Sequence, residues 1–307
     1  MKETEQELLE KKRELMAREK KNNPSFMQTV WREIKGDKVA FVSLIILIVI
    51  LVAAYMSPLF IDGDAVKRVD VFNVYQEPSA EHWLGTDDGG RDVFGQLMLG
   101  ARNSFTIGIA VTLLAALYGL TIGLIAGYYG GIVDNIIMRI IDFLMVLPAL
   151  MFIIVFVVIV PEYSVASFVF IMSLFAWFGK ARLIRSKGLA ERELDYINAS
   201  KTLGTPDWKI MLFEMFPNLS SLVIVNMTLT LAGNIGLETG LTFLGFGLPA
   251  GTPSLGTLIA LAKNPDVIST KWWVWLPAAL LILVMMLSIN YVGQAVKRAS
   301  DARQRLA

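Results

Sequence analysis

Long uncharged apolar runs constrain the fold of this 307-residue chain more than any other feature. Residues 39–61, for example, contain no charged side chain. A helix that crosses the hydrocarbon core of a bilayer needs about 20 mostly apolar residues, and a water-soluble domain rarely carries several such runs. With 55% hydrophobic residues and a mean hydropathy of +0.56, the chain is predicted to be an integral membrane protein.

Six segments have the length and composition of a membrane-spanning helix. The predicted fold class is therefore an all-α integral membrane protein with six transmembrane helices, of which the fourth is the shortest. In chain order the predicted spans are Val39–Phe60, Ser104–Tyr129, Ile136–Val160, Ser164–Phe178, Leu219–Leu244 and Trp272–Val296.

Lysine and arginine residues are concentrated in alternate connections between these spans. Ten precede the first span, four lie between the first and second, seven between the fourth and fifth, two between the fifth and sixth, and four follow the sixth. Because positively charged loops stay on the cytoplasmic side, both termini are predicted to be cytoplasmic. The predicted organisation is a cytoplasmic N-terminal arm (1–38), an uncleaved anchor helix (39–60), an extracytoplasmic loop (61–103), a core of five spans (104–296) with a cytoplasmic loop (180–218), and a cytoplasmic tail (297–307). The charged lead of the arm, residues 1–21, is expected to be solvated and helix-prone.

Charge and cysteine content argue against several classes of function. The net charge of +1 argues against nucleic acid as a partner, and the absence of cysteine excludes disulfides and thiolate metal sites. The chain has no G-x-x-x-x-G-K-[ST] loop with which to grip nucleotide phosphates. No metal site is predicted: His82 is expected to be a surface or hydrogen-bonding residue, and the acidic stretch 85–94 is expected to be a turn rather than a calcium loop.

Three other patterns are interpreted as structural. Arg139 and Asp142, one turn apart in the third span, are expected to form an ion pair. A cluster of tryptophans at the outer end of the sixth span is expected to anchor the headgroup layer: Trp272, Trp273 and Trp275. Small residues at every fourth position of the second span are expected to let a neighbouring helix approach closely: Ala115, Gly119, Gly123 and Gly127.

A polar stretch, DYINASKTLGTPDWKIMLFEMFPN, lies at residues 195–218 between two apolar spans. Gly204 suits the left-handed position that ends a helix. Thr205 can cap the next helix, Pro206 fits its first position, and Asp207 is favoured by the positive end of its dipole. The stretch therefore predicts two helices joined by a tight turn.

The first of these helices is predicted to run over Glu191–Leu203 and the second over Pro206–Phe216, ending near Pro217. Loops that merely join two spans are usually short. The 39 residues of the 180–218 loop, with two capped helices, favour a docking surface over the alternative of a simple connection.

The same loop resembles the cytoplasmic EAA loop of permease subunits of bacterial ABC importers, in which a small-residue helix is followed by a glycine and a hydrophobic–proline pair. The matching residues here are Asn198, Ala199, Ser200, Gly204 and Phe216-Pro217. Further motifs resemble the C-type permease subunit of oligopeptide and dipeptide importers: HWLGTDDGGRDVF (82–94), GARNS (100–104), GGIVDNIIMRIIDFLMVLP (130–148), ETGLTFLGFGLP (238–249) and PSLG (253–256).

This resemblance implies a non-enzymatic subunit that forms half of a translocation pathway in a bacterial cytoplasmic membrane. The implied partners are a second, similar permease, two cytoplasmic ATPases, an extracytoplasmic peptide-binding protein and membrane lipid. ATP and magnesium would be bound by the ATPases, so no cofactor is expected in this chain. The residues implied to dock an ATPase are Tyr196, Asn198, Ala199, Ser200, Leu203, Gly204 and Pro217.

Three positions depart from the family pattern. Asn198 stands where the family has the acidic residue that names the loop, and Glu214 stands where it has an apolar residue. Gln294 replaces the acid of a C-terminal N-x-x-G-D motif. An ion pair from position 198 to an ATPase arginine is therefore not expected, and a hydrogen bond can take its place.

A polar stripe on the fifth span is the candidate for the translocation path. Four polar residues recur at four-residue spacing and so lie along one slowly winding face of the helix: Asn226, Thr230, Asn234 and Glu238. In a bilayer such a face must contact protein or water, so the stripe either lines the path or forms hydrogen bonds between packed helices. Glu238 lies about 28 Å along the helix from its cytoplasmic end, which places it near the outer surface.

Alternative functions remain open from the sequence alone. Permeases of this family also carry nickel or other small solutes. An ion-coupled secondary transporter would bury coupling carboxylates near the middle of the bilayer, whereas Asp142 and Glu238 both lie towards the ends of their spans. A scaffold or signalling protein would not transport a solute at all.

Overall fold

The computed structural model describes residues 25–160, 163–249 and 251–304. Within these ranges the chain is helical and contains no strand, apart from an isolated bridge between Thr86 and Asp92. The predicted all-α fold class is therefore confirmed. The helices, numbered in chain order, are α1 Phe26–Gly36, α2 Lys38–Met56, α3 Gly63–Lys67, α4 Val93–Tyr129, α5 Gly131–Val146, α6 Ala149–Ile159, α7 Val165–Ala176, α8 Phe178–Glu191, α9 Asp195–Thr202, α10 Asp207–Leu244, α11 Leu255–Ala260, α12 Pro265–Thr270 and α13 Trp272–Gln304.

Four of these helices, namely α2, α4, α10 and α13, are each long and apolar enough to cross a bilayer. Two consecutive pairs meet the same criterion only when taken together: α5 with α6, and α7 with α8. The described residues therefore provide four spans, or up to six where each bent pair is one span.

The predicted third span, Ile136–Val160, is not one straight helix. It is divided at Leu147 and Pro148, where α5 and α6 meet at an angle of 82°. A residue before proline is pushed out of the α region, and Leu147 is extended at φ −71° and ψ 135°. The prediction of one straight helix was wrong because it relied on the length of the apolar run, which continues on both sides of the bend.

The predicted fourth span, Ser164–Phe178, is too short because the chain continues past it as a helix. After a 45° bend at Trp177, α8 continues the helix to Glu191 through residues that the sequence predicts to lie in the cytoplasmic loop 180–218. The basic residues of α8 hid this continuation in the sequence. Arg182 pairs with Asp142 at 2.5 Å, and Arg185 forms a two-pronged pair with Asp134. Asp142 thus pairs with α8, not with Arg139 as predicted.

The small-residue face of α4 packs against α8, as the spacing predicts. A Cβ atom built on Gly119 would lie 2.7 Å from the Lys180 Cβ, and one on Gly123 would lie 2.7 Å from the Ala181 carbonyl oxygen. On Gly127 it would lie 3.0 Å from the Gly188 Cα. The two backbones approach so closely that only glycine fits at these positions.

The bounds of the first, second and sixth spans differ from the prediction. The second span begins at Val93 rather than Ser104, because Asp92 caps the helix by accepting a hydrogen bond from the Gly95 amide. The residues 93–103 therefore belong to α4 and not to the outer loop. The first span ends as an α-helix at Met56, before a short 3₁₀ turn. The sixth span continues without interruption into the predicted tail.

The N-terminal arm packs against other helices where the structure describes it. Residues 1–24, which include the lead 1–21 predicted to be solvated, lie outside the described residues. From Phe26 onward α1 buries Val30 and Ile34 against Val225 and Val296. The hydrophobic spacing of α1 accounts for this packing.

The outer loop folds back on the start of α4. His82 Nδ1 contacts Asp92 Oδ1 at 3.0 Å, which confirms the predicted hydrogen bond. The acidic stretch is a turn: buried Asp87 accepts hydrogen bonds from Arg91 Nε at 2.8 Å and from the Gly89 amide. Trp272 is exposed as predicted for a headgroup anchor, but Trp273 is buried beneath the loop.

Candidate functional site

The coupling loop, defined here as residues 192–213, follows α8, contains α9 and includes the first two turns of α10. Its first helix is shorter than the predicted Glu191–Leu203, because α8 ends at Glu191 and α9 covers only Asp195–Thr202. Gly204 adopts the predicted left-handed conformation at φ +77°. Thr205 does not cap the following helix; Pro206 occupies the cap position, without a side-chain hydrogen bond.

The second helix of the loop does not end near Pro217. It runs on into the fifth span, so that α10 is continuous from Asp207 to Leu244. A proline inside a helix removes one backbone hydrogen bond. Here the six residues Ile210–Met215 form a π-helical turn immediately before Pro217, and such a wider turn accommodates the missing bond.

A hydrogen-bonded cluster fastens α9 to the beginning of the fifth span. The Asn218 amide donates to Glu191 Oε1 and to the Tyr196 hydroxyl, both at 2.7 Å, and the Tyr196 hydroxyl donates to Glu191. Burial and the neighbouring Glu191 carboxylate raise the pKa of Tyr196 to about 12. Tyr196, predicted as a docking residue, thus directs its hydroxyl inward.

A second contact fastens the loop to the end of α4. The Tyr128 hydroxyl donates to Asp207 Oδ1 at 2.7 Å, and the Lys201 ammonium lies 4.8 Å from the centre of the Tyr128 ring. Fully buried Ile197 packs with Leu124 in the same region. The coupling loop is therefore held on two spans, α4 and α10.

The other predicted docking residues lie on the outer surface of the loop. Asn198, Ala199, Leu203 and Gly204 are exposed, and Leu203 is 86% exposed. Ser200 is half-buried and Pro217 is exposed. The Asn198 amide donates to the Glu193 carbonyl at 3.3 Å, within the loop itself.

Sequence reasoning missed three large apolar side chains beside this surface. Trp208, Leu212 and Phe213 are 52%, 49% and 69% exposed, at the start of α10. Trp208 and Leu212 are four residues apart, so they share one helix face. This i, i+4 pair in an otherwise polar loop was the signal available in the sequence. Together with Leu203 they form what we call the apolar rim of the coupling loop.

The polar stripe on α10 lies against other helices of the same chain. The Asn234 amide, 8% exposed, donates to the Thr112 hydroxyl of α4 at 2.8 Å. Thr230 donates to the carbonyl of Asn226 within its own helix. The Asn226 side-chain oxygen is buried and has no hydrogen-bond partner among the described residues.

Glu238 is completely buried at a junction of three helices. The hydroxyl of Thr242 donates to Glu238 Oε1 at 3.0 Å, and the hydroxyls of Ser104 and Ser254 also face the carboxyl group. At Asn234 and Glu238 the geometry favours the packing interpretation of the stripe over direct lining of a path.

Family comparison agrees with this architecture. Residues 119–306 match the model of the binding-protein-dependent transport system inner membrane component family, and residues 25–78 match the N-terminal TM domain of oligopeptide transport permease C. The chain belongs to this permease family. It is therefore a multi-pass protein of the bacterial inner membrane, as the sequence predicts.

Curated relatives align along nearly the whole chain. The chain is 48% identical over 285 residues to the oligopeptide transport system permease protein OppC of Lactococcus lactis, covering 92% of this chain and 97% of that protein. It is 35% identical over 286 residues to the dipeptide transport system permease protein DppC of Bacillus subtilis, covering 93% and 88%. The oligopeptide transport system permease protein AmiD of Streptococcus pneumoniae is 36% identical over 286 residues, covering 91% and 90%.

Proposed function

We propose that this chain is the permease subunit of an ATP-driven importer of peptides, and that its coupling loop docks a cytoplasmic ATPase. Peptide cargo is supported by relatives that are permeases of oligopeptide and dipeptide systems and that align with 92% and 93% of this chain. The proposed assembly contains a second permease, two ATPases and an extracytoplasmic peptide-binding protein. The ATPases would bind ATP and magnesium, and this chain would have no catalytic role.

The apolar rim of the coupling loop is the observation that carries the docking proposal. Leu203, Trp208 and Phe213 are exposed on a loop that also carries exposed Asn198 and Ala199. A group of large apolar side chains on a polar surface is a typical protein-binding site. The small Ala199 beside it allows another protein surface to approach closely.

The contacts that hold the coupling loop on α4 and α10 indicate how docking of an ATPase would affect the spans. Because Asn218 and Tyr128 connect the loop to α10 and α4, a force applied to α9 acts on both spans. Closure of the ATPases on ATP would in this way move the helices that enclose the pathway. The alternative of a flexible connection does not account for these two sets of hydrogen bonds.

The decisive variant is Ala199→Arg in the reconstituted complex. An arginine at a close contact has no room, and burying its charge without a partner costs several kcal/mol, enough to weaken docking by orders of magnitude. We expect loss of ATPase co-purification, or ATP hydrolysis without peptide uptake, while membrane insertion is normal. The matched control is Lys187→Ala, an exposed position on α8, which should behave as wild type.

Normal uptake and a full complement of ATPases in Ala199→Arg would refute the docking proposal. The driving force and cargo need separate measurements in the same vesicles. Uptake that follows an imposed proton gradient in the absence of ATP would indicate a secondary transporter. ATP-dependent uptake of nickel in place of peptide would retain the importer and replace its cargo.

A further inference from the structure

A buried lysine lies at the bend between α7 and α8. Lys180 is only 7% exposed, and its ammonium donates to the Ala176 carbonyl at 2.9 Å. The last carbonyls of a helix have no partner within that helix, and a cation is favoured at that end. Lys180 thus directs its charge back towards α7, away from the coupling loop, instead of extending to the polar end of the span.

The neighbouring cations of α8 are neutralised, and Lys180 is not. Arg182 and Arg185 each pair with a carboxylate of α5, Asp142 and Asp134 respectively. None of the ion pairs formed within the described ranges includes Lys180. The closely packed Gly119 lies ten residues before the end of α4, or about 15 Å along its axis, so Lys180 packs against the body of that helix and not against its end. A buried charge without an opposite charge is costly to keep, and such a group is a candidate for function.

The same lysine lines a small cavity together with the stripe residue Asn226. The cavity lies between α8 and α10 and has a volume of about 10 Å³, room for a single water molecule. The Asn226 side-chain oxygen is buried there without a partner among the described residues. Lys180 and an amide with an unsatisfied oxygen therefore line the same cavity between helices.

The packing indicates how this place can open. The small-residue face of α4 packs tightly against α8, and a Cβ atom on Gly119 would clash with Lys180. Against α10, α8 is held by side-chain contacts, namely the hydrogen bond between Asn218 and Glu191 and the packing of Ile184, and the cavity lies in that contact. A separation of α8 from α10 would therefore uncover Lys180 and Asn226 together, while Lys180 stays on its helix.

We propose that Lys180, with Asn226 beside it, recognises a carboxylate of the cargo and so determines specificity inside the pathway. This inference rests on the proposed function. A carboxylate that leaves water loses its hydration and requires a cation or several hydrogen bonds in return. Lys180 supplies the charge, and the side-chain NH2 group of Asn226 can donate a hydrogen bond to the carboxylate. The class of ligand is a peptide with a free C-terminal carboxylate.

Trialanine and its C-terminal amide are the probes that test this specificity. Maximal ATP-dependent uptake of each would be measured in vesicles with the binding protein saturated, so that the comparison reports steps after delivery. A unit charge within about 10 Å at an effective dielectric constant of about 20 alters such a step on the order of tenfold. We therefore expect the wild-type complex to favour the acid.

Lys180→Gln should abolish this preference, lowering uptake of the acid about tenfold and leaving uptake of the amide unchanged. A glutamine amide can still donate to the Ala176 carbonyl, so the bend keeps its cap. Lys180→Arg should preserve the preference, and Lys187→Gln, which removes the same charge at an exposed position of α8, should have no effect.

The outcomes separate this inference from the proposed function. If the wild-type complex takes up neither peptide with ATP, the importer proposal fails and the inference fails with it. If the wild type takes up both equally, the role of Lys180 is refuted, whether or not the variants assemble. Equal loss of both peptides in Lys180→Gln would also overturn it, because that result shows only a structural role.

Discussion

Replacement of Gly123 by alanine tests the close contact between α4 and α8. A Cβ atom at this position would lie 2.7 Å from the Ala181 carbonyl oxygen and 2.9 Å from the Ile184 Cβ. Ordinary contacts are about 3.5 Å or longer, so α4 and α8 would have to separate by roughly 0.7–1 Å. Both obstructing atoms belong to the body of α8 rather than to the tip of a flexible side chain, so little local adjustment is possible.

Overpacking of this kind typically costs about 1–3 kcal/mol. We expect Gly123→Ala to lower the temperature of half-aggregation of the purified protein in detergent by several degrees. The control is Gly233→Ala on α10, where no atom lies within 4 Å of the added methyl group. That change should be neutral or slightly stabilising, because alanine restricts the unfolded chain. Equal stability of the two variants would refute the assignment of the glycine face to α4–α8 packing.

Three further variants test individual contacts. Asn234→Leu removes the hydrogen bond to Thr112 and should lower thermal stability by about 1 kcal/mol. The uptake rate per assembled complex should be unchanged. An altered rate or peptide preference at normal stability would instead favour the interpretation that Asn234 lines the path. Glu238→Ala leaves the Thr242 hydroxyl without its acceptor and should destabilise the folded protein by about 1–3 kcal/mol. Glu238→Gln should destabilise it by much less. Equal melting temperatures of the two variants would contradict the buried junction. Asn218→Ala removes two hydrogen bonds that hold α9 and should lower peptide uptake per ATP hydrolysed; a wild-type ratio would show that this cluster does not transmit force.

Apolar length predicted the membrane class correctly but not the shape of two spans. The hydrocarbon thickness of a bilayer sets a minimum run of residues, and that requirement is visible in any window of the sequence. A bend is a local event inside such a run. Pro148 was visible as a helix breaker, yet an apolar run continues on both sides of it. Trp177 carries no turn signal, so the second bend reflects tertiary packing.

The coupling loop shows where local signals succeed and where they fail. Gly204 was predicted correctly because a left-handed backbone strongly favours glycine. The limits of α8 were missed because Arg182 and Arg185 made its residues look solvent-exposed. Their charges are matched by Asp142 and Asp134, some 40 and 51 positions away. Pairs at such separations cannot be inferred from helical spacing in one sequence.

Three of the motifs that carried the family resemblance, GARNS, PSLG and ETGLTFLGFGLP, have a common physical explanation that only the fold provides. GARNS on α4 and PSLG at the start of α11 are about 150 residues apart, yet the Asn103 amide donates to the Pro253 carbonyl at 2.8 Å. A Cβ on Gly100 would lie 2.8 Å from the Ser254 carbonyl carbon, and one on Gly256 would lie 2.7 Å from the Thr239 carbonyl oxygen.

The ETGLTFLGFGLP motif completes the same junction through Glu238 and Thr242. The three motifs therefore complement one another. Their glycines allow the backbones to meet, and their polar side chains form hydrogen bonds with backbone groups that have no partner within α11. Buried polar groups need such partners, because an unsatisfied one costs about 1–3 kcal/mol. Since α11 has only six residues and cannot be stable alone, it depends on this junction for its place between α4 and α10.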